Sequence, residues 1–329
     1  MKVAKYSYLL IHSICYLFPM RPGFASQTPN VLQSEIGYEE FRKKFNLGGA
    51  STEQENKITM RLSQIFQGNP IEGLRLLNEV DQSIIPGLRK FQSTYLEPLS
   101  IQIKNSFLKG GRIFILDSGS SGRVAIDLAA KWQQFTGSET TPFKEFNGSV
   151  IGIIAGGARA FVRAKEGFED SEKAGKTALY KYQVSPNDTV ILVSASGSAT
   201  FNCGAGIAAR EAGAQVYYFF NSTTVPERTQ ELFDSYKVHP LLIDTGPQAI
   251  SGSTRLQAAS LAELALGGTL NDIASNFLGN STETFEDLIS NLEKGNQQIS
   301  QYLENIVRFI QIEAGVFSSP QANFHKVKD

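Results

Sequence analysis

The stretch Asp117-Ser-Gly-Ser-Ser-Gly-Arg123 decides how this chain is read. It follows the apolar, β-branched run Ile113–Leu116 and precedes a helix-like run, which makes it a turn from a strand into a helix. The start of a helix presents unpaired backbone N–H groups and partial positive charge, so such a turn suits a dianionic phosphate. Gly119 and Gly122 permit a close backbone approach, while Ser120 and Ser121 add hydroxyl donors without bulk. Ser194-Ala-Ser-Gly-Ser-Ala-Thr200 is a second turn of the same kind, and Gly252-Ser-Thr-Arg255 is a third hydroxyl-rich loop. A single Ser-Gly cluster is turn and N-cap material, and at least one of Ser194, Ser196 and Ser198 is expected to cap a helix. Three such loops in succession, at the ends of alternating strands and helices, point to one sugar-phosphate pocket.

Outward from the first loop, short apolar runs recur at Ile113–Leu116, Val150–Ile154, Val190–Val193, Val216–Phe220 and Leu241–Ile243, spaced widely enough for crossover helices. That pattern predicts an α/β fold: a doubly wound, mostly parallel five-stranded sheet flanked by N- and C-terminal helices, with ligands beyond the C-terminal strand ends. Residues 53–111 carry helical periodicity through Ile58, Leu62, Ile65, Leu74, Leu77, Val80, Ile84 and Leu88, with Pro86 and Pro98 expected near helix starts or kinks. The helical pattern returns after Asn271, and residues 318–329 read as a frayed tail.

The chain has 329 residues, 41% of them apolar, and a net charge of −1, enough for one large domain or two modest ones. Without a Lys/Arg cluster it lacks the basic face that nucleic acid demands, so no nucleic-acid partner is expected. Cys15 and Cys203 show no metal-ligand spacing, Cys203 reads as a buried thiol in a small-residue helix, and no metal or cofactor is implied. The three histidines, His12, His239 and His325, fall outside the loops. Residues 1–25 have the layout of a secretory signal: Lys2 and Lys5, an apolar run from Tyr6 to Phe18, then Gly23-Phe24-Ala25. Ser7, His12 and Ser13 dilute that run, so export and a non-native start both stand as readings. The run is also shorter than the roughly 20 residues a membrane span requires.

Among the carboxylates, the run Glu166-Gly-Phe-Glu-Asp170 stands just after a glycine-rich strand end, Ala155-Gly-Gly157, and is the acid/base candidate. A solvated helix face and a ligand for sugar hydroxyls are its other readings. Arg123 reads either as a phosphate ligand or as a structural pair for a carboxylate. A dinucleotide site is the weaker reading of the first loop, which lacks the full glycine spacing and an acidic residue ending the second strand.

At these residues the chain resembles the sugar isomerase (SIS) domain of the N-acetylmuramic acid 6-phosphate etherases and of the N-terminal half of the glucokinase regulatory protein. The resemblance spans roughly residues 69–276 and rests on the 117–123 loop, Ile153-Ile-Ala-Gly-Gly157, Lys165-Glu-Gly-Phe-Glu-Asp-Ser171 and Gly246-Pro-Gln-Ala-Ile-Ser-Gly-Ser-Thr-Arg255. It implies an irregular lead-in at 26–52, a SIS domain at 53–276 and a C-terminal helical segment and tail at 277–329. It also implies phosphosugar-binding roles for Gly119, Ser120, Ser121, Ser194, Ser196, Ser198, Ser253 and Thr254, and a homodimer that completes the pocket. The etherases expel a lactyl group with two glutamates as acid and base. One corresponds to Glu169, and the other falls at Lys131. The family's Gly-Pro-Glu and Arg-Met-Lys are here Gly246-Pro-Gln248 and Arg255-Leu-Gln257. These departures favour a phosphosugar-binding protein, a sensor or a catalytically altered relative of the etherases. An active etherase is the first alternative, with Glu139 and Glu145 as fallback carboxylates, and a phosphosugar-controlled protein-interaction regulator is the second. The resemblance implies a cytoplasmic protein, whereas a functional signal at 1–25 would place the chain in the periplasm or outside the cell.

Overall fold

Five apolar runs pair side by side in a sheet that is parallel throughout. The computed structural model describes residues 49–137, 143–163, 167–278 and 284–318. The signal-like segment, Cys15, His12, His325, Lys165, Glu166, Glu139 and the tail beyond 318 lie outside them. The strands are β1 (Ile113–Asp117), β2 (Val150–Ile154), β3 (Thr189–Ser194), β4 (Gln215–Phe220) and β5 (His239–Leu242), within two residues of the expected runs. Sheet order is β2-β1-β3-β4-β5. The chain therefore leaves β1 to one side and returns on its other side at β3. The topological switch point lies between the C-terminal ends of β1 and β3, where parallel α/β sheets open a crevice.

Helices α1 (Leu62–Gly68), α2 (Pro70–Asp81), α3 (Ile84–Phe91) and α4 (Glu97–Leu108) precede the sheet. Asn69 caps α2 by accepting from the Glu72 N–H, and Pro70 occupies a first-turn position where its missing donor costs nothing. Between α3 and α4, Gln92–Leu96 form a π-helical turn, so the chain stays helical past Pro98. A proline cannot donate to the carbonyl four residues back and crowds it, and a wider turn at that point relieves the clash. Then come α5 (Gly119–Thr136), α6 (Ala158–Val162), α7 (Glu172–Tyr180), α8 (Thr200–Glu211), α9 (Glu227–Asp234), α10 (Gln257–Leu278) and α11 (Phe285–Ser318).

Alternation along the strands divides the core into two layers. Ile113 and Ile115 of β1, with Ile191, Val193 and Phe219, pack beneath α3, α4, α5, α10 and α11. Phe114 and Leu116, with Val190, Leu192, Tyr218 and Phe220, pack against α7, α8 and α9. Strands covered on both faces read as near-continuous apolar runs, which is why the sheet was legible. Beyond the N-terminal end of β3, Asp188 accepts from the Arg112 backbone N–H at 2.7 Å, the Arg112 guanidinium at 2.9 Å and the Ser185 N–H at 2.8 Å. Burial alone would push this carboxyl up, but those donors outweigh it and hold Asp188 below its ordinary range. Cys203 is buried and free, as its small-residue helix suggested. Among the described residues no helix is long and apolar enough to cross a membrane.

Candidate functional site

The first loop leaves β1 at Asp117 and turns directly into α5. Ser118 is the N-cap residue but makes no side-chain capping bond, and the Gly122 N–H donates to its carbonyl at 2.8 Å to open the helix. Gly119 takes φ +53, in the left-handed region, and nothing lies within 4 Å of where a Cβ would be. Gly122 answers a packing need as well: a Cβ there would sit 2.6 Å from the Asp117 carbonyl oxygen and 2.7 Å from Ile154 Cγ1. Its absent side chain lets α5 start flush against β1 and β2.

Ser120 and Thr254, 134 residues apart in sequence, meet with their hydroxyl oxygens at 2.6 Å, which brings the first and third loops together. Ser121 is buried beside Asp117, while Ser253 is half-buried in the third loop, its N–H donating to the Ile250 carbonyl at 2.9 Å. That loop is held by two glutamines. Gln248 Nε2 donates to Thr245 Oγ1 at 2.9 Å while its Oε1 accepts from Ala258 N in the first turn of α10. Gln257 Oε1 accepts from Ala249 N at 3.0 Å. Gln248 both donates and accepts here, whereas an ionised glutamate would only accept, from the Ala258 N–H and from a Thr245 hydroxyl turned towards it. The departures at 248 and 257 thus have a structural role.

In the second loop the expectation of a serine helix cap is not met. The N-cap of α8 is Ala199, and no side chain caps that helix. The hydroxyls are engaged elsewhere: Ser194 Oγ accepts from the Gly197 N–H at 3.2 Å, closing the turn, and Ser196 and Ser198 hold each other at 2.7 Å. The first turn of α9 fastens this loop, with Arg228 donating to the Ser198 carbonyl and Thr229 Oγ1 to the Gly197 carbonyl, each at 2.7 Å. Arg123 directs its Nε to the Phe161 carbonyl at 3.4 Å.

Glu169 reaches the second loop through its backbone: its carbonyl accepts from the Phe201 N–H at 2.8 Å. Its side chain acts electrostatically on Asp117. Asp117 itself is 4% exposed. Burial pushes its carboxyl up to about 8, against the lowering effect of the Ser118 N–H, the Ser121 hydroxyl and the Asn202 side chain. Two acidic residues here were not singled out in the sequence. One is Asp117. The other is Glu53, whose Oε2 would lie 2.9 Å from a Cβ on Gly252 and whose carboxyl is raised by burial. Only an aspartate ending a strand could have signalled the first, and nothing local signalled the second.

Lys131 stands apart from this cluster. It lies twelve residues beyond Gly119 on α5, about 18 Å along the axis at 1.5 Å per residue. There it pairs with Asp127 at 2.6 Å and with Glu263 of α10. Burial works to lower the Lys131 ammonium, but the two carboxylates outweigh it and hold it above its ordinary value, while burial pushes Glu263 up. Glu169 and Lys131 of one chain therefore do not converge. Glu145 sits in a short 3-10 turn, Lys144–Phe146, ahead of β2. Among the described residues no three His, Cys, Asp or Glu side chains are grouped to hold a metal.

Three hydroxyl-rich loops and the uncapped first turns of α5 and α8 thus surround the switch point, a donor-rich setting suited to a compact oxyanion. Residues 99–209 match the model of the glucokinase regulatory protein N-terminal SIS domain. The chain is 30% identical over 272 residues to N-acetylmuramic acid 6-phosphate etherase 1 of Bacillus licheniformis, covering 82% of this chain and 81% of that protein. It is 28% identical to the N-acetylmuramic acid 6-phosphate etherase of Bacillus subtilis, covering 85% and 86%. Among solved structures, the Vibrio vulnificus NanR protein complexed with ManNAc-6P covers 72% of each chain at 12% identity, with a TM-score of 0.40.

Proposed function

The chain belongs to the family of the N-acetylmuramic acid 6-phosphate etherases, and from that premise we propose that it binds an amino-sugar 6-phosphate at the switch-point crevice without carrying out the etherase reaction. The observation that carries the binding half is the 2.6 Å contact between Ser120 and Thr254, which gathers two of the three loops beside the start of α5. In this reading Gly119, Ser120, Ser121, Ser194, Ser196, Ser198, Ser253 and Thr254 supply backbone and hydroxyl donors to the phosphate, and Glu169 receives a sugar hydroxyl. Charge-assisted hydrogen bonds of this kind are the stronger class, so a handful suffices to hold a dianion.

The loss of chemistry rests on Lys131. Elimination of the lactyl group needs a base and an acid, and an ammonium held above its ordinary range by Asp127 and Glu263 has no free lone pair for the first role and is a weak proton donor for the second. We further propose that two copies pair so that the Asp127–Lys131–Glu263 cluster of one faces the loops of the other, because the cluster lies too far along α5 to serve the loops of its own chain. A phosphosugar-dependent contact with another protein is the extension of this sensor reading. The kinship with etherases favours the active enzyme as the second reading.

A proton magnetic resonance time course on N-acetylmuramic acid 6-phosphate separates the two. The expected result is an unchanged lactyl ether in the presence of stoichiometric protein. Catalytic release of lactate, abolished by Glu169→Gln, would overturn the sensor reading.

A further inference from the structure

Asp117 ends β1 at the floor of the first loop, 4% exposed, and its Oδ1 makes no hydrogen bond among the described residues. The groups that act on it are the Ser118 N–H and Ser121 hydroxyl of its own loop, Asn202 of α8 and the Glu169 carboxylate; it in turn acts on the Tyr218 phenol of β4, which lies beside Cys203 of α8. The facing strands β2 and β3 carry no titratable side chain. Arg123 and Arg228 point elsewhere, to the Phe161 carbonyl and the Ser198 carbonyl, Arg255 of the third loop is exposed, and no cation is among the groups that act on Asp117. A buried carboxylate with an orphan oxygen, a carboxylate neighbour and no cation is costly when ionised, and a dianion arriving at the same loop adds to that cost. The neutral acid escapes both penalties.

We propose that Asp117 is a positioning residue that carries a proton in the ligand-bound state and thereby sets the Ser121 hydroxyl as a donor, so that phosphosugar binding takes up one proton wherever the free protein holds Asp117 ionised. This rests on the phosphosugar reading of the site. The argument is one of hydrogen-bond direction. An ionised Asp117 can only accept, so Ser121 turns its single proton inward and presents lone pairs to the phosphate. A protonated Asp117 donates to Ser121 Oγ instead and frees the serine proton for a phosphate oxygen. The balance is one proton from solvent to Asp117 for each ligand bound, with no other bond made or broken. Because burial pushes Asp117 up to about 8, the coupling falls on the alkaline side of neutrality.

The test is calorimetric titration of the full chain with N-acetylglucosamine 6-phosphate from pH 7.0 to 9.5, a range in which the ligand, with a second pKa of about 6, stays dianionic. The wild-type association constant should fall about tenfold per pH unit above roughly pH 8, with net proton uptake visible as a difference between two buffers of unlike ionisation enthalpy. Asp117→Asn, whose amide donates at every pH as the protonated acid does only below its pKa, should lose the slope. A flat wild-type profile with binding intact, or a wild-type slope surviving in Asp117→Asn, would overturn the proposal alone. No binding at any pH would overturn the phosphosugar reading and the proposal with it.

Discussion

Replacing Gly122 by alanine would place a methyl group 2.6 Å from the Asp117 carbonyl oxygen and 2.7 Å from Ile154 Cγ1. Non-bonded heavy atoms settle at about 3.5 Å or more, so the first turn of α5 has to retreat from the sheet by roughly 0.9 Å. Overpacking of this kind costs about 1–3 kcal/mol. The same movement carries Ser120 away from Thr254, now 2.6 Å distant, and the lost hydrogen bond adds about 1 kcal/mol. A total near 3 kcal/mol corresponds to a melting temperature lower by roughly 6–12 °C for a domain of this size class. Phosphosugar affinity should fall by about tenfold or more, since displacements near 1 Å in a positioned site are that costly. Differential scanning calorimetry and ligand titration on the same preparation read both effects. Gly119→Ala is the contrast: it meets no atom within 4 Å and bears only the left-handed backbone penalty of about 1–2 kcal/mol. A Gly122→Ala protein that melts within about 1 °C of wild type and binds as well would refute the packing argument.

Two further perturbations test the frame around the site. Asp188 has a folded pKa held below its unfolded value, so its contribution is present above about pH 4 and lost as pH falls through the folded pKa. Asp188→Asn should therefore cost about 1–3 kcal/mol at pH 7 in urea unfolding, and the difference from wild type should shrink towards pH 3. Equal stability at pH 7 would contradict this. Lys131→Glu gathers three carboxylates where Asp127 and Glu263 already stand, and Glu263→Lys gathers cations beside Lys131; the double charge swap should recover most of either loss. A coupling of at least about 0.5 kcal/mol in the cycle is expected, and strict additivity would mean that the pair contributes nothing.

The fold was legible because its strands are covered on both faces and its turns are rich in glycine and serine. Runs such as Val190–Val193 can hardly be anything but buried strands, and the 117–123 loop announces a strand-to-helix turn. Contacts fixed by distant parts of the chain were not legible. The lock formed by Gln248 and Gln257 and the approach of Glu53 to Gly252 each join residues whose neighbours in sequence carry no sign of the partner, and the convergence of the first and third loops was legible without the Ser120–Thr254 hydrogen bond that joins them. The cap expected from Ser194, Ser196 or Ser198 failed because those hydroxyls bond within their own loop, leaving Ala199 to start α8. Lys131 was recognisable as a departure from a carboxylate, but its capture by Glu263, 132 residues away, follows only from the packing of α5 against α10. Asp117 is visible in sequence as the first residue of the loop, yet its burial is a property of the sheet end and not of its neighbours.

Binding of N-acetylglucosamine 6-phosphate at pH 7, set against unphosphorylated N-acetylglucosamine and measured by isothermal calorimetry, tests the central claim most directly. The account predicts saturable binding of the phosphorylated sugar, little or none of the free sugar, and a loss of about 1–3 kcal/mol in Ser121→Ala with the fold intact. Equal affinity for the two sugars, or no change in Ser121→Ala, would contradict it.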